Sequence, residues 1–397
     1  MMVEPVSPEE VAGVLTAASR DRRRVLIRGA GTKAGWGAPP AHSSPPPDIV
    51  LSTQKLNAVL AHRHGDLTAT VQAGASLAEV NRELARHSQC IPLDPPWADR
   101  ATIGGIVATN DSGPRRHRYG APRDLIIGVD FVRADGVAAK AGGIVVKNVA
   151  GYDVARLMTG SFGSLAVIVA ATFKLFPLPA ASRTVVIDFD RGPFLGPLTE
   201  RLNAIVSELL ASHLTPTAIE LQAPPARILV RFETIETAAE QQAEAVVHMA
   251  ERAGAHGSVV GADDEATLWA EHCRRPWRGD GAVFKITLLP TALGAMLSWL
   301  AEMPIRDNYE VVGRAGVGVL LARIGGPAEL QADLLKMLRD ARLSRAASAV
   351  LVRGSDDLKS QVDLWGPIGD GLALMRAIKQ QFDPLGILNP GRGPGGL

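Results

Sequence analysis

The sequence predicts an α+β protein of two domains, and three features carry that expectation. Its 397 residues are more than one ordinary core accommodates. The stretch Pro95–Pro177 alternates short Val/Ile/Ala runs with glycines at 104, 105, 113, 120, 128, 136, 142, 143, 151, 160 and 163. The second half reads strand, helix, strand, strand, helix, the order of an antiparallel sheet covered by helices on one face. Glycine costs conformational entropy, so this density implies a backbone brought close to something. On density alone two readings stay open: a large flat nucleotide cofactor, or a tightly turned β layer with no ligand.

Composition narrows the class. With 46% hydrophobic and 21% charged residues the chain is globular rather than extensively disordered. Its 42 basic and 41 acidic residues leave a net charge of +1, which carries no footprint for nucleic acid. Cys90 and Cys273 form no C-x-x-C pair and no metal-ligand spacing, and read as free thiols of a reducing compartment. The opening MMVEPVSPEE has no apolar signal-peptide core, and no run approaches the roughly 20 apolar residues of a transmembrane segment. A soluble, cytoplasmic protein is expected, with no bound metal.

Taking the elements in order, Ser7-Pro8-Glu9-Glu10 is an N-cap, a proline at the first helical position and a glutamate that closes a capping box. Val11, Val14, Leu15 and Ala18 follow at helical spacing. Val25–Ile27 is a short buried strand that runs into the loop Arg28-Gly29-Ala30-Gly31-Thr32-Lys33-Ala34-Gly35. A proline-rich connector, Pro39 to Pro47, leads to a second strand at Ile49–Ser52. Thr68–Val71 is a strand, Ser76 and Glu79 cap a helix to about Arg86, and IPLDPPW (Ile91–Trp97) must be extended. Ile126–Arg133 and Val137–Lys140 form a hairpin around Asp135-Gly136. Leu165–Phe176 carries no charge before Lys174, so it is a strand buried on both faces.

The loop after the first strand formally matches the dinucleotide fingerprint, with Gly29, Gly31 and Ala34 in register. That motif must open a helix, and Trp36, Gly37, Pro39 and Pro40 forbid one. No P-loop sequence occurs. Either the successive amides form a phosphate-binding nest or the loop is an ordinary strand-end turn.

A domain boundary falls near residue 180, after Pro177 and Pro179. Beyond it come a strand at Thr184–Phe189, a helix at Leu198–His213, and strands near Ala218–Gln222 and Arg227–Phe232. A helix at Ala238–Arg252 precedes strands near Ala282–Leu289, Glu310–Val312 and Val317–Arg323, and a helix covers Ala328–Arg342. The last helix, Leu372–Phe382, ends in the extended tail Asp383–Arg392.

Several matching segments now stand together. They are Arg28–Lys33, Pro95-Pro96 with Ala101–Ser112, Arg118–Gly120, VVKNVAGY (Val145–Tyr152), Gly160–Gly163 and the tail FDPLGILNPGR. In this combination the chain resembles the vanillyl-alcohol-oxidase-type flavoproteins with a PCMH-type FAD-binding domain, and within them the FAD-binding small subunits of bacterial glycolate oxidase. The resemblance implies a two-subdomain FAD-binding domain over 1–180, an antiparallel-sheet cap or substrate domain over 181–366, and a segment 367–397 that packs back on the FAD domain. It places Arg28, Gly29, Ala30, Gly31, Thr32 and Lys33 along the pyrophosphate. Pro96, Ala101, Thr102, Gly104, Gly105, Asn110, Ser112, Gly113 and Gly120 would follow the diphosphate, ribityl chain and flavin ring. Gly160, Ser161 and Gly163 would approach from the far side, Ile168 would sit at the adenine, and Asn389 would bring the tail back. Implied partners are a catalytic FAD subunit and an iron–sulfur subunit, which would hold the chain peripherally at the inner membrane, and a small 2-hydroxy acid such as glycolate or D-lactate.

The chain departs from the family in two respects. Members that attach FAD covalently carry a histidine in the first glycine loop, where this chain has Thr32, so dissociable FAD is expected. The histidine-rich pattern of the catalytic relatives' cap is missing, since no histidine follows His272 and Gly313–Gly318 reads GRAGVG. Oxidising a 2-hydroxy acid needs a base near the flavin and a cation for the carboxylate. Cations are available among Arg274, Arg275, Arg278, Lys285, Arg314 and Arg323, but no base is evident. Tyr152, Arg118 and Arg323 are the candidate catalytic residues, and the missing base favours an accessory subunit. A self-sufficient dehydrogenase and a non-catalytic structural subunit are the rivals. His62 and His64 read as surface residues, His117 as either a neighbour of the cofactor or part of a solvated loop. The basic aromatic stretch His272–Arg278 reads as an anion site or an interface.

Overall fold

The computed structural model describes residues 1–38, 47–144, 151–189, 196–305, 308–340 and 346–397. They form two units: Met1–Gly113 with Tyr119–Leu178 and Pro367–Leu397, and Pro114–Arg118 with Pro179–Gly366.

The first unit begins with the helix Pro8–Arg20. The Ser7 hydroxyl accepts from the Glu10 N–H at 3.3 Å, the Glu10 carboxylate accepts from the Val6 N–H at 2.9 Å, and Val11, Leu15 and Ala18 turn inward. Beside it Met2–Val3, Ile49–Ser52 and Val25–Arg28 form a small parallel sheet with Ile49–Ser52 in the middle. A five-stranded antiparallel sheet follows the order Val59–Arg63, Thr68–Gln72, Ala166–Lys174, Ile126–Arg133, Ala138–Gly142. Its central strand lies between two cores. Val167 and Val169 join Leu15, Leu51 and Leu388 on one side, while Ala166, Ile168, Ala171 and Phe173 join Leu77, Val80 and Ile106 on the other. Both faces are therefore buried, the alternation changing phase at the irregularity opposite Asp130–Phe131, which is why the strand is apolar as far as Ala171.

Within the glycine block, Ile103–Thr109 is helical despite Gly104 and Gly105. Thr102 caps it, its hydroxyl accepting from the Gly105 N–H at 3.4 Å. Gly104 is required by packing, since a Cβ there would sit 2.8 Å from the Ala73 methyl.

The tail returns to the parallel sheet. After the helix Gly371–Phe382, Leu388 bridges Val25 in parallel, and the Asn389 N–H donates to the Val25 carbonyl at 2.9 Å. Asp383, 1% exposed, makes the turn: it accepts from the Ile387 and Leu388 N–H groups and from Lys379 Nζ, at 3.0, 2.8 and 2.6 Å. Lys379 Nζ also donates to the Ser164 carbonyl at 2.6 Å; burial pulls its pKa down, against the pull of Asp383.

The second unit is an eight-stranded antiparallel sheet. Its order is His256–Val259, Ala181–Asp188, Arg227–Thr234, Ala218–Ala223, Tyr309–Arg314, Val319–Ile324, Ala282–Thr287, Ser348–Arg353. Helices cover both faces, not the single face expected. Gly257 pairs with Ile187, and a Cβ on it would meet Val247 and Ala250, so the helix Glu236–Arg252 covers the Ile187 face. Trp269 of the helix Ala262–Arg274 packs on Val186, Ala218 and Leu229, which point the opposite way. Ala218–Ala223 is buried at every position because it is covered on both sides. The strands His256–Val259 and Ser348–Arg353 and the helices Ala262–Arg274, Leu293–Glu302 and Asp356–Gln361 are additions to the expected elements.

Candidate functional site

The strand Val25–Arg28 delivers the chain into a run of turns, not a helix, as Trp36 and Gly37 require. In this loop the backbone N–H groups of Gly29, Ala30, Gly31, Thr32 and Lys33 have no acceptor among the described residues. Gly31 sits at φ +76°, and the Arg28 guanidinium folds over it, 2.9 Å from where a Cβ would stand. At Gly29 the reason for glycine is contact, because a Cβ would lie 2.2 Å from the Thr102 hydroxyl. Five successive unpaired amides form an anion-binding concavity.

The loop forms one wall of a cleft with about 890 Å³ of empty space, open mouth included. Arg28, Gly29, Gly31, Thr32 and Lys33 line it together with Thr102, Gly104, Gly105, Gly163, Ile168 and Asn389. Leu26, Ile27, Thr53, Ala108, Thr109, Phe162, Ala166 and Arg392, which sequence reasoning did not assign to the site, line it too, as does Ala34 of the glycine loop. Asn389 joins two walls: it accepts from the Ile27 N–H at 2.8 Å and donates from Nδ2 to the Phe162 carbonyl at 2.6 Å. Phe162 and Gly163, at φ +55° and +70°, make the sharp turn that brings that wall in.

The charges of the cleft are distributed unevenly. Lys33 Nζ lies 3.2 Å from Asp111 Oδ2, and both side chains are buried, so this lysine is neutralised within the protein. Arg28 is exposed, while Arg392 is 8% exposed and fastens the far side of the loop. Its Nη2 donates to the carbonyls of Lys33, Ala34 and Trp36 at 3.1, 3.0 and 3.0 Å. Among the described residues the titratable side chains of the lining are thus all cations: Arg28, Lys33 and Arg392.

Ala30 contributes its amide to the loop without lining the cleft. Pro96, Ala101, Asn110, Ser112, Gly113, Gly120, Gly160 and Ser161 are not among the lining residues. Ala101 is fully buried in the apolar core, and Gly113 is held by packing, since a Cβ would meet the Asp94 carbonyl at 1.8 Å. Asn110 is the left-handed C-cap of the helix Ile103–Thr109, where its side chain accepts from the Arg123 N–H at 3.3 Å. Residues 145–150 of the VVKNVAGY segment lie outside the described residues.

Comparison with known proteins decides what the cleft belongs to. A family model described as an FAD binding domain matches residues 1–142, and the C-terminal domain of FAD linked oxidases matches 368–392. A D-2-hydroxyglutarate dehydrogenase of Xanthomonas citri is 30% identical, over 98% of this chain and 88% of its own. The chain belongs to the FAD-linked oxidoreductases. The glycolate oxidase subunit GlcD of Bacillus subtilis is 24% identical, over 98% of this chain and 88% of its own. The subunit GlcE of Escherichia coli is 34% identical over 41% of this chain and 45% of its own. The fold matches a solved alkyldihydroxyacetonephosphate synthase with a TM-score of 0.71 at 16% identity, covering 98% of this chain and 76% of the other.

FAD is the cofactor of this oxidoreductase family, and the cleft suits it: an unpaired amide concavity for an anion, glycines where a Cβ would intrude, and an apolar wall.

The three candidate catalytic residues do not line this cleft. Tyr152 is 97% exposed rather than buried at a ring. Arg323, in the second unit, lies 3.7 Å from Glu310 and donates to the Asp280 carbonyl at 3.2 Å. Arg118 is exposed, on the short helix Arg116–Tyr119.

The second unit of this FAD-linked oxidoreductase buries His272 and half-buries Arg275, and leaves Arg274 and Arg278 exposed. His272, 1% exposed, lies 2.7 Å from Glu220 and 2.9 Å from Gln222. Arg275 pairs with Glu310, and Arg278 lies 3.5 Å from Glu271. Arg275 thus answers the unit's own Glu310, while the exposed Arg278–Glu271 contact is a weak surface pair. His117 packs under Gly316 of the same unit, and its Nδ1 is buried without a hydrogen-bond partner. Burial lowers its pKa, Glu220 opposes this and Arg118 adds to it, so the imidazole is neutral near pH 7. His62 bonds Gln89 at 2.9 Å and packs edge-on against His87, so it is a partly buried member of a small cluster rather than a plain surface residue. Among the described residues no group of His, Cys, Asp or Glu is arranged to hold a metal ion.

Proposed function

We propose that this chain is the FAD-binding subunit of a glycolate-oxidase-type complex, supporting oxidation of glycolate or D-lactate to the 2-oxo acid. It would work with a catalytic flavoprotein subunit and an iron–sulfur subunit that takes the electrons onward. The observation that carries this reading is the composition of the cleft, whose titratable lining is cationic only. Such a lining binds an anion and offers no proton acceptor, whereas a hydride donor of the 2-hydroxy-acid class needs one. The curated relatives named above support the substrate class, and the local match to GlcE supports the subunit assignment.

In this reading the amides of Gly29–Lys33 receive the diphosphate, Thr102, Gly104 and Gly105 border the ribityl chain and ring, and Ile168 borders the adenine. Bound flavin supplies a two-electron acceptor. Asn389 fixes the separation of the walls on either side of it. FAD is held non-covalently, since the lining offers threonines, cations and apolar groups rather than a histidine, cysteine or tyrosine nucleophile among the described residues.

A second reading, a self-sufficient FAD-dependent 2-hydroxy-acid dehydrogenase, is favoured by the match to a D-2-hydroxyglutarate dehydrogenase over almost the whole chain. An anaerobic absorbance spectrum before and after glycolate, D-lactate and D-2-hydroxyglutarate separates the two. A yellow chain that bleaches only with its co-expressed partners is expected. Bleaching of the isolated chain would establish the second reading instead.

A further inference from the structure

Arg392 is a buried cation with three of its five N–H donors unused among the described residues. Its Nη2 is fully committed to three loop carbonyls. Its Nε is buried with no partner, and Nη1 donates to nothing among the described residues. The guanidinium is 8% exposed and has no carboxylate within ion-pairing distance among the described residues. Burying an unpaired charge costs several kcal/mol, so such a group normally has a counter-ion. The other buried cation of the cleft, Lys33, already has one in Asp111.

The position of Arg392 indicates what the missing counter-ion is. It borders the cleft, directly behind the loop whose amides of Gly29–Lys33 are also unpaired. Two independent sets of unmet donors, one neutral and one charged, therefore converge on the same loop. The uncommitted Nη1 and Nε N–H groups are charged donors of the kind that phosphate oxygens accept from.

We propose that Arg392 is a cofactor-binding residue that supplies the positive charge for the diphosphate of FAD, which the amides alone do not provide. The proposal rests on the FAD cofactor, and adds to it that the C-terminal tail reads the anion rather than merely closing the fold. Because Arg392 also fastens the loop, its two roles must be separated. Binding through charge discriminates between ligands that carry phosphate and ligands that do not; fastening the loop does not.

The experiment uses the flavin-free full chain and its R392Q variant, titrated with FAD, ADP and riboflavin and followed by tryptophan and flavin fluorescence. The expected result is a loss of roughly tenfold or more for FAD and ADP in R392Q, with riboflavin unchanged, as for a charged hydrogen bond removed. Equal weakening of all three, or no change in any, overturns the proposal and leaves Arg392 a structural clamp. Should R392Q fail to fold, the wild-type chain is melted with ADP, adenosine and inorganic pyrophosphate. Stabilisation by ADP and pyrophosphate well beyond adenosine supports the charge, and adenosine matching ADP sinks it. A chain that binds neither FAD nor riboflavin would instead overturn the cofactor assignment, and this proposal with it.

Discussion

Ile27 and Asn389 stand 362 positions apart and are joined by a 2.8 Å hydrogen bond from the Ile27 N–H to Asn389 Oδ1. The same amide reaches Phe162, so a single side chain from the tail spaces two walls of the cleft. Replacing Asn389 by alanine removes both hydrogen bonds from a partly buried N–H and a partly buried carbonyl, a loss of about 1–3 kcal/mol. Urea unfolding of N389A is expected to show that loss together with a lower flavin content. A variant with unchanged stability and flavin would mean that the walls hold their spacing without the tail.

Gly29 is expected to tolerate no side chain. In G29A the added methyl lies 2.2 Å from the Thr102 hydroxyl, and Thr102 caps the helix Ile103–Thr109. Losing that cap costs about 1 kcal/mol. The displaced threonine also narrows the cleft, so the flavin-to-protein ratio of purified G29A should fall by half or more. A ratio equal to wild type refutes the close approach.

The second unit carries a defined acid sensitivity. Glu233 is 1% exposed at its side chain and lies between Arg115, at 2.5 Å, and Arg231, at 3.1 Å. Burial alone would raise its pKa, but the two arginines and the Arg115 hydrogen bond outweigh it and hold it below the ordinary value of 4.5. A carboxyl depressed on folding contributes stability that is complete above its unfolded pKa and lost as the pH falls through its folded one. Stability of this unit is therefore expected to drop below about pH 4.5, and E233Q should flatten that drop. E233Q should also cost about 3 kcal/mol at pH 7, the low end for a broken buried pair because Arg231 keeps Glu265 at 3.3 Å. Thermal melts from pH 3 to 7 provide the check, and a slope unaltered in E233Q would assign the sensitivity elsewhere.

Tyr152 is the opposite case. At 97% exposure its hydroxyl has no structural task, so Y152F should leave stability within about 0.5 kcal/mol of wild type and flavin affinity unchanged. A tenfold loss of either flavin affinity or turnover would restore it to the site.

The contrast between Tyr152 and Arg392 shows where sequence reasoning stops. Features encoded within a few residues were legible. Ser7-Pro8-Glu9-Glu10 announces the helix Pro8–Arg20, Asp135-Gly136 the hairpin, and the unbroken apolar run of Ala166–Lys174 its double burial. The glycine loop was legible too, because Trp36 and Gly37 exclude a helix and leave the amides without partners. The burial of a single side chain is not local information. An arginine in a Gly/Pro-rich tail reads as solvated until the tail is known to return, and a tyrosine beside a motif reads as buried until its exposure is measured. The strand His256–Val259 escaped because an edge strand with three exposed residues shows little periodicity. The helix Ala262–Arg274 escaped because four of its first five residues are acidic or alanine on an exposed face, and only Trp269 and His272 reveal the buried one.

The return of the tail also sets an order of events during synthesis. Val25–Arg28 finds one neighbour in Ile49–Ser52 early, but its other edge is completed only by Leu388 and Asn389. Domains fold as units while the chain emerges, yet this unit lacks a sheet edge, the Asp383 turn and Arg392 until its last thirty or so residues have left the ribosome. All of the second unit is translated before that moment. The second unit is thus free to fold first, and the first unit is the one finished later. A ribosome that stalls before the codons of residues 367–397 would release a polypeptide with a complete second unit and a flavin cleft lacking its closing wall.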